Sequence, residues 1–166
     1  MKLSEYPSLR SHLGRPAVLD SNLLLLHLCC EFDPPLVHSF KRLNIFDPGD
    51  AVLLSATLDL FSTLHTTPHV LTEVSNLANS LPGWRKDSWS RFFAARVVLI
   101  SEEYRSSREL AADSAAMRFG LTDAALARLA RTHTVLTVDW PLTGFLESRG
   151  LPVVNFNHLR EFEFDS

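Results

Sequence analysis

At 166 residues, 46% of them hydrophobic, the chain suffices for one full core and is short for two ordinary domains. Its formal charge of −3 excludes a generally basic nucleic-acid binder, though not a nuclease, because a local arginine patch coexists readily with an acidic centre. Two adjacent cysteines, Cys29 and Cys30, and seven histidines without ligand spacing exclude a disulfide framework, offer no sequence-spaced zinc set, and point to a reducing cytoplasm.

Residues 1–14 read as an N-terminal arm or short helix, with Tyr6, Leu9 and Leu13 at near-helical spacing. Ala17-Val18-Leu19 is an apolar run of the kind buried on both faces of a parallel sheet, and Asp20 stands at its exit, where a carboxylate stays out of the core. The Leu-rich run from Ser21 to about Glu31 reads as a buried helix, stopped by Asp33-Pro34-Pro35. It faintly resembles a secretory signal, but Asp20 and Asn22 precede it, His27 lies within it, no small-residue cleavage site follows, and it is too short to span a bilayer. Residues 36–47 carry no clear pattern. Asp50 is expected to cap a helix to about Leu64. A brief strand, His69-Val70-Leu71, comes next. Thr72 is its following N-cap, with Glu73 in the first turn of a helix ending at Leu81-Pro82-Gly83.

An amphipathic helix spans Trp84 to Arg96, and Val97-Val98-Leu99-Ile100 reads as the third strand. A helix over 105–117 ends at Gly120, and Thr122 caps the next one. Thr134–Val138 is the fourth strand and runs into Asp139. Pro141 opens a helix to Arg149, and Pro152-Val153-Val154 is the fifth strand, ending at Asn155. The polar stretch from Asn157 to Ser166 reads as surface. The organisation expected is an arm (1–14), one domain (15–158) and a tail (159–166). Strands alternating with helices imply βαβ units, hence a three-layer α/β/α sandwich around a mostly parallel five-stranded sheet. The absence of GxGxxG and GxxxxGK[ST] patterns removes dinucleotide and P-loop readings.

The acidic residues become informative when sorted by place. Asp20 and Asp139 follow strands, Glu73 starts the helix after a strand, and Asp123 starts the helix leading into the fourth strand. Strand exits of a parallel sheet share one edge, the usual ligand edge of open α/β folds. Each acid alone has a plain alternative as helix cap, first-turn acid or turn residue. Together they repel one another, and a hard divalent cation, magnesium or manganese, relieves that repulsion. Such a site suits metal-dependent phosphodiester hydrolysis, with Asn22 and Thr137 as groups that orient ligands or water.

Val18-Leu19-Asp20-Ser21-Asn22, Leu71-Thr72-Glu73, Leu121-Thr122-Asp123-Ala124-Ala125-Leu126 and Leu136-Thr137-Val138-Asp139 resemble the successive motifs of the PIN domain family, and Val153-Val154-Asn155-Phe156 its last-strand ending. The likeness covers residues 15–158. It implies a Mg²⁺- or Mn²⁺-dependent endoribonuclease with Asp20, Glu73, Asp123 and Asp139 as the acidic quartet and Asn22 and Thr137 beside it. It further implies a toxin of a toxin–antitoxin pair, often dimeric, acting on RNA and silenced by a cognate antitoxin. The long segment between Asp20 and Glu73, and Trp140 where a basic residue is common, depart from the pattern. The 84–96 helix reads first as burying Trp89, Phe92 and Phe93, and second as an RNA-contacting element through Arg85, Lys86 and Arg91. Glu102 and Glu103, after the third strand, are outside candidates for the site. A non-catalytic RNA- or protein-binding module is the alternative. A phosphatase with Asp20 as nucleophile is disfavoured by Asn22, where such an enzyme wants a second aspartate.

Overall fold

Five short strands form one sheet: β1 (Ala17–Leu19), β2 (Leu64–Thr66), β3 (Ser101–Glu102), β4 (Thr134–Thr137) and β5 (Val153–Asn155). Their order is β3-β2-β1-β4-β5, and every neighbouring pair is parallel. The computed structural model describes residue 3 and residues 6–164, with side chains through Glu161. The remainder of the expected arm and tail lies outside the described residues. Successive side chains of a strand point to opposite faces. Every residue of β1, β4 and β5 is buried, so helices cover the sheet on both faces and the architecture is a three-layer α/β/α sandwich.

The helices are α1 (Pro7–Arg10), α2 (Ser21–Phe32), α3 (Leu36–Ser39), α4 (Pro48–Leu58), α5 (Pro68–Ala78), α6 (Gly83–Val97), α7 (Ser107–Ala111), α8 (Ser114–Phe119), α9 (Leu121–Leu129), α10 (Trp140–Glu147) and α11 (Phe156–Phe164). Six consecutive-turn apolar residues of α2, from Leu23 to Cys29 with His27 excepted, are buried. That is what a helix apolar on most sides requires, and each fully buried leucine contributes about 2 kcal/mol. Among the described residues no helix is long and apolar enough to cross a membrane.

Several expected boundaries move, and proline or capping chemistry explains most of the shifts. Helix α4 starts at Pro48, the residue that best tolerates a first-turn position. Asp47, not Asp50, is its N-cap, and the two aspartates satisfy each other's backbone N–H groups at 3.0 and 2.8 Å. The helix stops at Leu58, because Leu64–Thr66 leaves as β2. His69-Val70-Leu71 is therefore helix. Pro68 opens α5, and Thr67 caps it by accepting from the Val70 N–H at 3.2 Å. Thr72 is no cap, and Glu73 sits in the second turn. The helix ends at Ala78, before Leu81.

The β-branched run Val97–Ile100 closes α6 and turns away. Val98 and Leu99 are 83% and 72% exposed, and the strand is the next pair, Ser101–Glu102, on the open edge of the sheet. Helix 105–117 is broken in two because Ser106 and Asp113 each cap a separate start. Thr122 does not cap α9. Gly120 joins α8 to α9 at φ 93, a conformation that a residue with a Cβ adopts only with strain.

The stretch from Asn157, expected on the surface, falls instead largely within α11, which is docked by Phe156 and Leu159, both buried. Arg160 on it reaches back to the buried Asp50 at 2.8 Å and to the Ile45 carbonyl at 2.9 Å. Removing the guanidinium leaves Asp50 buried with only its capping partner. Arg160→Ala is therefore expected to destabilise the protein by about 2–3 kcal/mol, measured by urea unfolding. A change below about 0.5 kcal/mol would show α11 to be dispensable.

Candidate functional site

Strands β1 and β4 are neighbours, yet β2 lies on one side of β1 and β5 on the far side of β4. The chain direction across the sheet reverses between them, which opens a crevice at their exits. Asp20 and Asp139 follow these two strands. Asp20 is 6% exposed and uses both oxygens. Oδ1 accepts from the Leu23 N–H at 2.8 Å and caps α2. Oδ2 accepts from the Thr137 hydroxyl at 2.6 Å and the Val138 N–H at 2.8 Å, tying the two strands together. Burial pushes its carboxyl above the ordinary carboxylate range and Asp139 adds to that, while the three hydrogen bonds oppose them.

Asp139 is exposed and caps α10 through Oδ1, which accepts from the Leu142 N–H at 2.7 Å. Its own N–H donates to the Thr137 hydroxyl oxygen at 3.0 Å, so Thr137 sits between the two aspartates and orders both. Glu73, exposed on α5, accepts from the Ser21 hydroxyl at 2.8 Å, which pins it to the first residue of α2. Asp123, partly buried in the first turn of α9, has its carboxyl pushed up to about 7. Burial is the largest cause, followed by the charges of Asp139, Asp20 and Glu73. The four acids thus share one electrostatic neighbourhood. Their ring is open: among the described residues, no three of them bring one oxygen each within 4.8 Å of one another.

Two clefts flank this rim. One, of about 620 Å³, contains Glu73 and Asp123 with His69, Tyr104, Arg105 and Phe119. The other, of about 840 Å³, contains Asn22, Lys41, Arg42, Trp84 and Arg85. Asn22 is exposed and faces this second cleft, making no hydrogen bond to a described residue. Arg85 is ion-paired with Asp33 and stacks over Trp84 at 4.5 Å, so its charge is partly spent. Lys86 and Arg91 are exposed on α6. Trp89 is buried against Phe32, 5.4 Å between ring centroids, and is closed to a base. His69 Nε2 lies 3.2 Å from the Ser107 hydroxyl. Glu102 is exposed on β3, and Glu103 is turned to His65.

Some supporting residues escaped the sequence reading. Ser21, between two residues it did single out, is the buried hydroxyl that holds Glu73. Below Asp139, the Thr143 hydroxyl donates to the Asp139 carbonyl at 2.7 Å and accepts from the buried Asn155 amide at 2.8 Å. Asn157 donates to the Val138 carbonyl at 3.0 Å. A serine or threonine flanking an acid at a strand exit is the available signal, and it is a common pair. The donor set of the rim fits a hard divalent cation. It is all oxygen, and burial together with the neighbouring charges holds Asp123 partly protonated near neutral pH, a cost that a cation offsets. The chain matches no family model, no curated protein and no solved structure in the three comparisons made.

Proposed function

We propose that this protein is a metal-dependent endoribonuclease of the PIN type, hydrolysing RNA phosphodiester bonds in the cytoplasm as the toxin of a toxin–antitoxin pair, with homodimerisation and a cognate antitoxin as its partnerships. The observation that carries the reading is the gathering of four acids at one crevice. Asp123 is raised to about 7 by its burial and by the three other acids that the motifs single out. Helix capping accounts for Asp20 and Asp139 one at a time but not for Asp123, a half-buried acid set among three others, whereas metal-assisted phosphoryl chemistry makes use of such a gathering.

Asp20, Asp139, Glu73 and Asp123 would hold Mg²⁺ or Mn²⁺. When bound, the cation stabilises charge on the phosphate and lowers the pKa of a water. The chain's own residues do the rest. Thr137 and the Val138 N–H hold Asp20 in one orientation, and Ser21 does the same for Glu73. Asp139 spends one oxygen on α10, and its other makes no hydrogen bond to a described residue. Asp123 in the first turn of α9 would complete the set or position the attacking water. Lys41 and Arg42 in the larger cleft suit phosphates, and the half-exposed Trp140 beside Asp139 suits a stacked base.

One observation favours the second reading, a non-catalytic binding module: both Asp20 oxygens are already engaged by the fold. Metal removal separates the two. Purified protein is expected to cut structured RNA with Mn²⁺ or Mg²⁺, to stop on chelation, to resume when metal is restored, and to melt at a higher temperature with Mn²⁺. RNA binding without cleavage, and with a melting temperature indifferent to millimolar Mn²⁺, would support the binding module.

A further inference from the structure

We propose a second metal site on this chain, separate from the acidic rim: His65, Glu103 and His133 holding a zinc-class divalent cation. His65 lies on β2, Glu103 directly follows β3, and His133 directly precedes β4. Register puts all three on one face of the sheet. His65 pairs with Ser101, two residues before Glu103, and with Val18, which pairs with Val135, two residues after His133. One ligand atom from each residue lies within 4.8 Å of the others, and His65 Nδ1 is 3.5 Å from Glu103 Oε1. Ligands on a tetrahedral zinc stand about 3.3 Å apart, so small side-chain rotations close the set.

The ring nitrogens argue for a ligand more strongly than the distances. His133 is 5% exposed, and its buried Nε2 has no hydrogen-bond partner among the described residues. Its Nδ1 lies 2.8 Å from the Thr132 hydroxyl. That hydroxyl donates its proton to the Leu129 carbonyl at 3.4 Å, leaving a lone pair to accept from Nδ1–H. With Nδ1 as the donor, the buried Nε2 keeps the lone pair that a metal would take. His65 repeats the pattern: Nε2 contacts the Thr63 hydroxyl at 3.0 Å, and the buried Nδ1 has no hydrogen bond among the described residues. The two rings meet edge to face at 4.4 Å. Metal-binding histidines characteristically have one nitrogen fixed by an outer partner and the other left for the ion.

Two imidazoles and one carboxylate suit zinc, in contrast to the all-oxygen rim. Arg15 acts on His133 with an opposing positive charge, and Glu103 offsets it. The His65 and Glu103 side chains are partly exposed, so an ion would reach the group from solvent. The site is a clamp. It joins the exposed two-residue edge strand β3 to β2 and to the entry of β4.

The full chain, stripped of metal by a chelator, is titrated with Zn²⁺ by calorimetry and by melting, and with Co²⁺ as an optical probe. The expected result is one tight Zn²⁺ per chain, a raised melting temperature and the intense visible absorption of tetrahedral Co²⁺. Glu103→Gln, at a half-open position that tolerates the change, and His65→Gln each weaken Zn²⁺ at least about tenfold. Asp123→Asn with Asp139→Asn leaves it intact. Zn²⁺ affinity unchanged in Glu103→Gln, lost in the double rim variant, or absent from the parent overturns the site.

Discussion

Asp123→Asn is expected to lower the rate of metal-dependent RNA cleavage by about a hundred- to a thousandfold, the equivalent of about 3–4 kcal/mol of lost transition-state stabilisation. At the same time it should make the metal-free protein more stable at pH 8. The two effects have one origin. Asp123 makes no hydrogen bond to a described residue, and its carboxyl is held up at about 7 by burial and then by Asp139, Asp20 and Glu73. Below about pH 3.8, the ordinary value, the group is neutral in folded and unfolded chains alike. Between 3.8 and about 7 the folded chain holds a proton that the unfolded chain has released, so stability falls as pH rises. Above 7 the loss is complete, and the charge of the Asp123 carboxylate joins those of its acidic neighbours. Asparagine removes one of those charges and is expected to gain about 1–2 kcal/mol at pH 8, after allowance for solvent screening, and almost nothing at pH 4. Saturating Mn²⁺ inverts the ranking, because the ion binds the ionised set that the variant lacks. Melting curves at both pH values with and without Mn²⁺, beside a cleavage assay, check all of this. A variant that cuts RNA at the parental rate removes Asp123 from the chemistry. One that loses activity and is also less stable at pH 8 without metal makes its role structural.

The crevice that gathers these acids was legible because its logic is local. An apolar run leading to an aspartate, as at Ala17–Asp20 and, with Thr137 within it, at Val135–Asp139, reads as a strand exit in an alternating βαβ chain. Glu73 was placed on the right helix for the wrong reason. His69-Val70-Leu71 has strand composition, but Thr67-Pro68 has stronger helix-start chemistry, and the helix begins a turn earlier. The same competition explains Val97–Ile100, where β-branched composition lost to the end of a long helix and the true strand is two polar residues on an edge with no apolar face to fill. The polar tail was misread because its burial depends on two residues, Phe156 and Leu159, and on an ion pair with Asp50 more than a hundred positions away.

The histidine pair was out of reach for a related reason. His65 lies on one neighbour of β1 and His133 at the entry of the other, and only the sheet order brings their rings to 4.4 Å. No spacing along the chain encodes that. Sequence spacing detects metal ligands that share a helix or a loop. It is blind to ligands assembled across a parallel sheet, where the intervening crossovers set the numbering.

Thr137→Val is expected to cost about 2–3 kcal/mol of stability and to weaken Mn²⁺ binding about 10- to 100-fold, although valine matches threonine in shape and suits a strand. Thr137 is fully buried. Its hydroxyl donates to Asp20 Oδ2 at 2.6 Å, a short bond to a charged acceptor, and its oxygen receives the Asp139 N–H at 3.0 Å. Valine removes both at once. Asp20 keeps the Leu23 and Val138 N–H groups, so the fold survives. Of the hydrogen bonds that hold the Asp20 carboxyl down against burial, however, the Thr137 bond is the largest, and its loss moves that carboxyl further up. A proton then competes with the metal at Asp20 over a higher pH range. The signature is a metal affinity that recovers as pH rises, together with a cleavage profile displaced to higher pH. Thr137→Ser keeps the hydroxyl and is expected to restore the parental profile while giving up a little packing. Equal loss in Ser and Val, without any pH displacement, would assign Thr137 to packing alone. Parental Mn²⁺ affinity in Thr137→Val would mean that the Asp20 carboxylate is not where the ion binds.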